Sequence, residues 1–349
     1  MGGRPLLEVK NISTSFFSHL GEIQAVRGAS FYLERGDVLG IVGESGSGKS
    51  VTALSIMGLI ETPGRIKQGE IVFDGENLVE KNQKEMSKLR GNEMSMIFQD
   101  PMTSLNPVYR IENQMVEVIR CHRRDLNRRE AATRAVEMLR LVKIPEPERQ
   151  IKSYPHEFSG GMRQRVMIAT ALSCNPKLLI ADEPTTALDV TIQAQILDLM
   201  NDLRERINAS IILITHDLGV IAEVCSRIIV MYGGTIMESG NERDIFYNPQ
   251  NPYTVGLHQS IPKGNLAISE KRLKPIQGTP PDLMHPPKGC PFSPRCSHTM
   301  RICLDRSAPT IRLSDTHTSA CWLLHEDAPT IGSYSKGSVL DPSEAPFRS

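Results

Sequence analysis

Val38-Leu39-Gly40-Ile41-Val42-Gly43-Glu44-Ser45-Gly46-Ser47-Gly48-Lys49-Ser50 joins a short apolar run to a glycine-rich turn. Val38–Val42 has the continuous apolar character of a buried strand, and a helix is expected from about Ser50. Gly43–Ser50 fits the pattern G-x-x-x-x-G-K-[ST] at every fixed position. Glycines there let successive backbone N–H groups converge on phosphate oxygens, at a helix start whose dipole favours anions. Gly43, Glu44, Ser45, Gly46, Ser47, Gly48 and Val51 are therefore candidate cradle residues. Lys49 is expected to reach the β- and γ-phosphates of a nucleotide, and the Ser50 hydroxyl to ligate Mg²⁺. An ordinary glycine-rich loop is the weaker alternative, because the strand and helix supply the context that the chemistry needs.

A second carboxylate-bearing segment, Leu178-Leu179-Ile180-Ala181-Asp182-Glu183, is an apolar strand ending in two acids. Asp182 at the strand's C-terminal edge can hold Mg²⁺ through water, and Glu183 can polarise an attacking water. Around these motifs the chain opens with strands over Leu7–Ser13 and Ala29–Glu34, and Glu70–Asp74 and Met94–Gln99 read as further strands. Residues from about 105 to 159 carry helical spacing, Ile211–Thr215 is another buried strand, and Arg227–Glu238 reads as a hairpin about Gly233-Gly234.

The 349 residues are 40% hydrophobic, enough for a substantial core. Forty basic residues balance forty acidic ones, so no global field points to nucleic acid. No apolar run approaches a membrane span and no signal-peptide h-region is present, so a soluble intracellular chain is expected. Arg120, Arg123, Arg124, Arg128, Arg129 and Arg134 lack interleaved aromatics and read as a solvated helix face. Fourteen of the 23 prolines lie from Pro249 onward. That stretch is expected to be an irregular appendage, with a disordered tail after about Glu326.

Phe158-Ser159-Gly160-Gly161-Met162-Arg163-Gln164-Arg165 resembles the signature of ATP-binding-cassette (ABC) ATPases. Met162 stands where glutamine is usual, a departure not expected to abolish function. Other family marks follow in order over roughly residues 6–330. Gln99 matches the glutamine that senses Mg²⁺ and meets the membrane partner, Ala187-Leu188-Asp189 the loop that communicates across a dimer, and His216 the switch histidine at the γ-phosphate. Phe16 resembles the residue stacked on adenine, with Phe17 the alternative. Ser159, Gly160 and Gly161 would face the nucleotide held by the other subunit. The resemblance implies an α/β fold: a RecA-like parallel-sheet core, an antiparallel β subdomain, a helical signature subdomain and the C-terminal appendage. Domain limits are expected at 6–246 for the ATPase (helical part about 105–165), 247–326 for the C-terminal region and 327–349 for the tail.

Gly43–Ser50, Ile97–Pro107, Tyr154–Met162 and Asn251-Pro252-Tyr253-Thr254 are similar to the ATPases of bacterial dipeptide, oligopeptide and nickel importers. Cys290, Cys296, Cys303 and Cys321 are spaced C-x5-C-x6-C-x17-C, so they could close round zinc or an iron–sulfur cluster, or be unrelated thiols. The resemblance favours a 4Fe–4S cluster over zinc, with ATP affinity at Lys49 expected to be insensitive to it. Cys121, Cys174 and Cys225 stand singly and read as packing residues.

The resemblance further implies a peripheral subunit at the cytoplasmic membrane face. It would pair with a second homologous ATPase, two transmembrane permease subunits and an extracytoplasmic substrate-binding protein, without nucleic acid. The cargo could be a peptide, glutathione, a nickel chelate or another solute. A soluble ATPase of repair or translation is less consistent with one cassette and no long coiled-coil insertion, and a catalytically dead sensor with the presence of Glu183 and His216.

Overall fold

A computed structural model of the chain describes residues 4–99, 104–186, 188–260, 275–331 and 334–339. In chain order the strands are β1 (Leu7–Ser18), β2 (Gly21–Leu33), β3 (Val38–Val42), β4 (Gly64–Phe73), β5 (Glu76–Asn77), β6 (Met94–Ile97) and β7 (Leu178–Asp182). They continue as β8 (Ser210–Thr215), β9 (Arg227–Tyr232), β10 (Thr235–Asn241), β11 (Thr310–Arg312), β12 (Thr318–Ala320) and β13 (Ser338–Val339). The chain divides into two compact units. One contains Met1–Tyr32, Leu39–Val79 and His216–Ser349, the other Leu33–Val38 and Glu80–Thr215.

In the first unit, β1 pairs antiparallel with β4, Leu7 opposite Phe73, in a four-stranded sheet ordered β2-β1-β4-β5. A separate run of strands is ordered β3-β9-β10-β12-β11-β13. β3 runs parallel to β9, Val42 opposite Val230, and is buried throughout. That two-faced burial is why it reads as an unbroken apolar run. The turn between β9 and β10 places Gly233 and Gly234 at φ 56° and 80°, the left-handed conformations of a two-residue hairpin.

The C-terminal region is mostly loops and turns over 275–309, as expected, and beyond them it adds short strands: β12 pairs with the outer edge of β10, Ser319 opposite Glu238, and β11 pairs with β12. The prolines stop at Pro309 and do not resume until Pro329, so Thr310–Ala320 keeps the backbone donors that a ladder needs. Within the tail expected to be disordered, β13 pairs with β11, Val339 opposite Ile311, and Lys336 donates to the carbonyls of Leu323, His325 and Ala328. Residues 340–349 lie outside the described residues.

A buried acid fastens this addition. Glu238 on β10 is 0% exposed, and its carboxylate accepts from the backbone N–H groups of Gln250 (2.6 Å) and Asn251 (3.2 Å). His317, beside β12, lies 2.8 Å from the same carboxylate through Nε2.

In the second unit, β6, β7 and β8 form a parallel ladder, Ile97 opposite Ala181 and Ala181 opposite Leu213. The helix Arg128–Leu141 opens on an Asn127–Glu130 capping box and buries Ala131, Ala135, Met138 and Leu139, one face of a 3.6-residue period. Its arginines meet polar partners, with Arg134 Nη2 donating to Asn175 at 2.7 Å, and nearby Arg123 grips Asp125 with two donors. Cys121 is exposed, correcting its reading as a packing residue, whereas Cys174 and Cys225 are buried.

Candidate nucleotide site

The phosphate loop leaves β3 at Gly43 and enters the helix Lys49–Ile56. Its glycines are steric necessities at two points. A Cβ on Gly43 would lie 2.1 Å from the Met231 carbonyl oxygen, and one on Gly48, at φ 103°, would lie 2.5 Å from that of Ala25. Among the described residues, apart from its chain neighbours, nothing stands within 4 Å of a Cβ built on Gly46, so the crest of the loop is open on that side. The Lys49 ammonium is buried within the loop, donating to the carbonyls of Gly43 (2.8 Å) and Glu44 (3.0 Å). The buried Ser47 hydroxyl has no hydrogen-bond partner among the described residues. An open glycine crest, an inward ammonium and an unsatisfied donor fit a phosphate chain. Ser45 is exposed, while Ser50 and Val51 are half-buried on the first turn of the helix.

Phe16 and Phe17 occupy β1, where successive side chains take opposite faces. The Phe16 ring lies close over Gly64, and the Arg65 guanidinium stacks on Phe17 at 4.5 Å. His216 directly follows β8 and is exposed. Asp217 caps the next helix, accepting from Gly219 N–H.

In the second unit β7 is buried up to and including Asp182. Glu183 then takes φ 47°, a left-handed conformation costing about 1 kcal/mol or more for a residue with a Cβ. Its N–H donates to Ile214 O at 2.8 Å, and its Oε2 accepts from Gln99 Nε2 and Thr186 Oγ1, both at 2.9 Å. Two donors thus orient one oxygen of the expected general base. Thr186 was not among the sequence candidates, because nothing in its spacing separates a carboxylate-orienting hydroxyl from any loop threonine.

The signature serine caps its helix. Ser159 Oγ accepts from Met162 N–H (3.3 Å) at the start of Gly160–Leu172, so residue 162 contributes its backbone whatever its side chain. A Cβ on Gly161 would come within 2.9 Å of Ile192. Asp189 caps the helix Val190–Ile207 by accepting from Ile192 N–H at 3.0 Å. Ala187, and Asp100 to Thr103 after Gln99, lie outside the described residues.

The four C-terminal cysteines come together, lining one small cavity with Phe292 and Trp322. Burial pushes the Cys290 thiol up to about 11 and the Cys321 thiol up to about 12. Among the described residues, however, no group of three or more His, Cys, Asp or Glu is placed to hold a metal ion. The expected 4Fe–4S cluster therefore finds convergent thiols but no ready ligand set.

The chain matches the ABC transporter family over residues 26–186 and the oligopeptide/dipeptide transporter C-terminal region over residues 237–303. It is 56% identical over 327 residues to an oligopeptide transport ATP-binding protein of Bacillus subtilis, covering 93% of this chain and 91% of that one. The chain is an ABC ATPase of the oligopeptide/dipeptide transporter family. This ABC ATPase is also 50% identical over 331 residues to a dipeptide transport ATP-binding protein of Lactococcus lactis, covering 95% and 94% of the two chains. Among solved structures, a dimeric ATP-binding cassette with ADP and phosphate in a post-hydrolysis state matches with a TM-score of 0.61 at 28% identity, over 68% of this chain and 99% of that one. No helix of the described residues is long and apolar enough to cross a membrane.

Proposed function

We propose that this ABC ATPase hydrolyses ATP to drive import of peptides, dipeptides or oligopeptides, through a membrane permease. The observation that carries the reading is the oriented carboxylate of Glu183, held by Gln99 and Thr186 as a general base must be. Glu183 takes a proton from the water that attacks the γ-phosphorus in line, and the bond to the β–γ bridging oxygen breaks to give ADP and phosphate. Lys49 and His216 stabilise charge on the transferring group, Phe16 or Phe17 stacks on adenine, and Ser159–Gly161 of a second ATPase completes the site. Mg²⁺, with Ser50, Asp182 and Gln99 as its candidate ligands, supplies charge neutralisation on the phosphate oxygens.

The partners fit the same reading: a homologous second ATPase, two permease subunits and an external substrate-binding protein, with this chain peripheral on the cytoplasmic face. Phe98, next to Gln99 in sequence, and Val108 and Tyr109 further along the chain are exposed apolar side chains suited to burial against a permease. Purified alone, the chain should hydrolyse ATP slowly, because its signature cannot reach its own nucleotide. Reconstitution with a second ATPase and permease should raise turnover sharply and make it respond to peptide-loaded binding protein. Full activity in a strictly monomeric preparation sinks the shared site. Stimulation by nickel chelate or glutathione but not by peptides reassigns the cargo.

A finer reading is that Cys290, Cys296, Cys303 and Cys321 close round a metal centre on binding it, zinc or a 4Fe–4S cluster. What supports it is the four thiols sharing one cavity in a proline-stiffened region. Anaerobically purified protein should then be brown with about four irons per chain, or colourless with zinc. Neither metal in such protein ends the idea.

A further inference from the structure

One acid in the phosphate loop is held from outside the loop. The Arg295 side chain is 5% exposed and grips Glu44 with both terminal nitrogens, Nη1 to Oε2 at 2.6 Å and Nη2 to Oε1 at 3.1 Å. Its remaining donors are also spent: Nη1 to Tyr232 OH at 3.0 Å, Nη2 to Ile276 O at 3.0 Å and Nε to Gln277 O at 2.9 Å. Five donors in a fixed plane, each with an acceptor, define one position for the guanidinium. The backbone of the same acid is held separately, Glu44 N–H donating to Tyr253 OH at 2.9 Å. Tyr253 packs on Tyr232 and Phe292, ring centroids 4.5 and 5.2 Å away, and is fully buried. The Glu44 carbonyl, in turn, accepts from Lys49 Nζ and from Ser47 N–H.

Both holding residues come from the C-terminal region, Tyr253 from Asn251-Pro252-Tyr253-Thr254 and Arg295 from the turn between Cys290 and Cys296. We propose that Arg295 and Tyr253 are positioning residues for ATP, and that the C-terminal region is a working part of the nucleotide site. Through Glu44 they fix the loop segment whose carbonyls set the position of the Lys49 ammonium. A flexible loop would have to be ordered at each binding event, and the fork and the tyrosine meet that ordering cost in advance. Because Cys296 follows Arg295 directly, a change at the four cysteines reaches the loop by the same route. The expectation that ATP affinity is insensitive to them is thereby revised.

The test is equilibrium binding of a fluorescent ATP analogue to the full-length protein, with melting of the nucleotide-free protein measured in parallel. Arg295→Gln should weaken binding about tenfold, the scale of one bidentate charged contact. Arg295→Lys should restore only part of it, since an ammonium cannot reproduce the fork. Tyr253→Phe, which removes a single oxygen from a packed ring, should weaken binding severalfold. Glu44→Gln combined with Arg295→Gln should be no worse than the weaker-binding single variant, because both act through one contact. Unchanged affinity in these variants, with or without a lowered melting temperature, overturns the proposal, as do additive losses in the double variant. Should Arg295→Gln fail to fold, Glu44→Gln and Tyr253→Phe probe the same contacts from the other side, and unchanged affinity in both overturns the proposal equally. Wild-type binding left intact by Lys49→Ala would instead show that the phosphate loop is not the ATP site.

Discussion

Lys49→Ala is expected to lower ATP hydrolysis by about 10² to 10³-fold, the range for removing one preorganised donor from developing transition-state charge. The ammonium lies within the loop on two carbonyls, Gly43 and Glu44, so its position is set by the protein and not by solvent. A preorganised cation of this kind needs no reorganisation when charge builds on the phosphate oxygens. Alanine removes the charge and the ammonium donor to both carbonyls, of which Glu44 O keeps the Ser47 N–H. The measurement is phosphate release by the assembled transporter carrying a wild-type second ATPase. Near-normal turnover would remove Lys49 from the chemistry, and Lys49→Arg separates loss of charge from loss of the fitted ammonium.

Glu183→Gln should leave ATP binding close to normal and slow hydrolysis by about 10² to 10⁴-fold, the contribution of a positioned general base. The amide has the carboxylate's shape, and its oxygen can keep accepting from Gln99 or Thr186, but it cannot take the proton from water. The left-handed backbone at residue 183 is unchanged, so the strained turn persists in the variant. Purified mutant complex should therefore retain unhydrolysed ATP in its closed form. Rapid release of ADP from that complex would take the base role away from Glu183.

Much of the fold was legible because its signals are local. β3, β7 and β8 are buried along their whole length, which a sequence displays as unbroken apolar runs. Gly233 and Gly234 announce a hairpin because only φ above zero closes it, and Ser159 and Asp189 announce helix starts because short polar side chains satisfy orphan N–H groups. The β11–β12 addition was missed for the opposite reason. Its strands are three residues each, and they exist because β10 offers an edge far away in sequence. Arg295 on Glu44 spans 251 positions, so no window of sequence contains both charges. Proline density in the preceding segment described the backbone between anchors and gave no hint of the anchors themselves.

Glu238 limits how far the chain can be shortened. An acid with no access to water, satisfied by two backbone N–H groups near residue 250 and by His317, is tolerable only while all three are present. A chain cut near residue 246 loses all three partners and leaves the outer edge of β10 without β12, so the glutamate and the strand's free N–H and C=O groups turn to solvent. Trimming to the minimal cassette is therefore expected to lower the melting temperature through a position whose own sequence is unaltered.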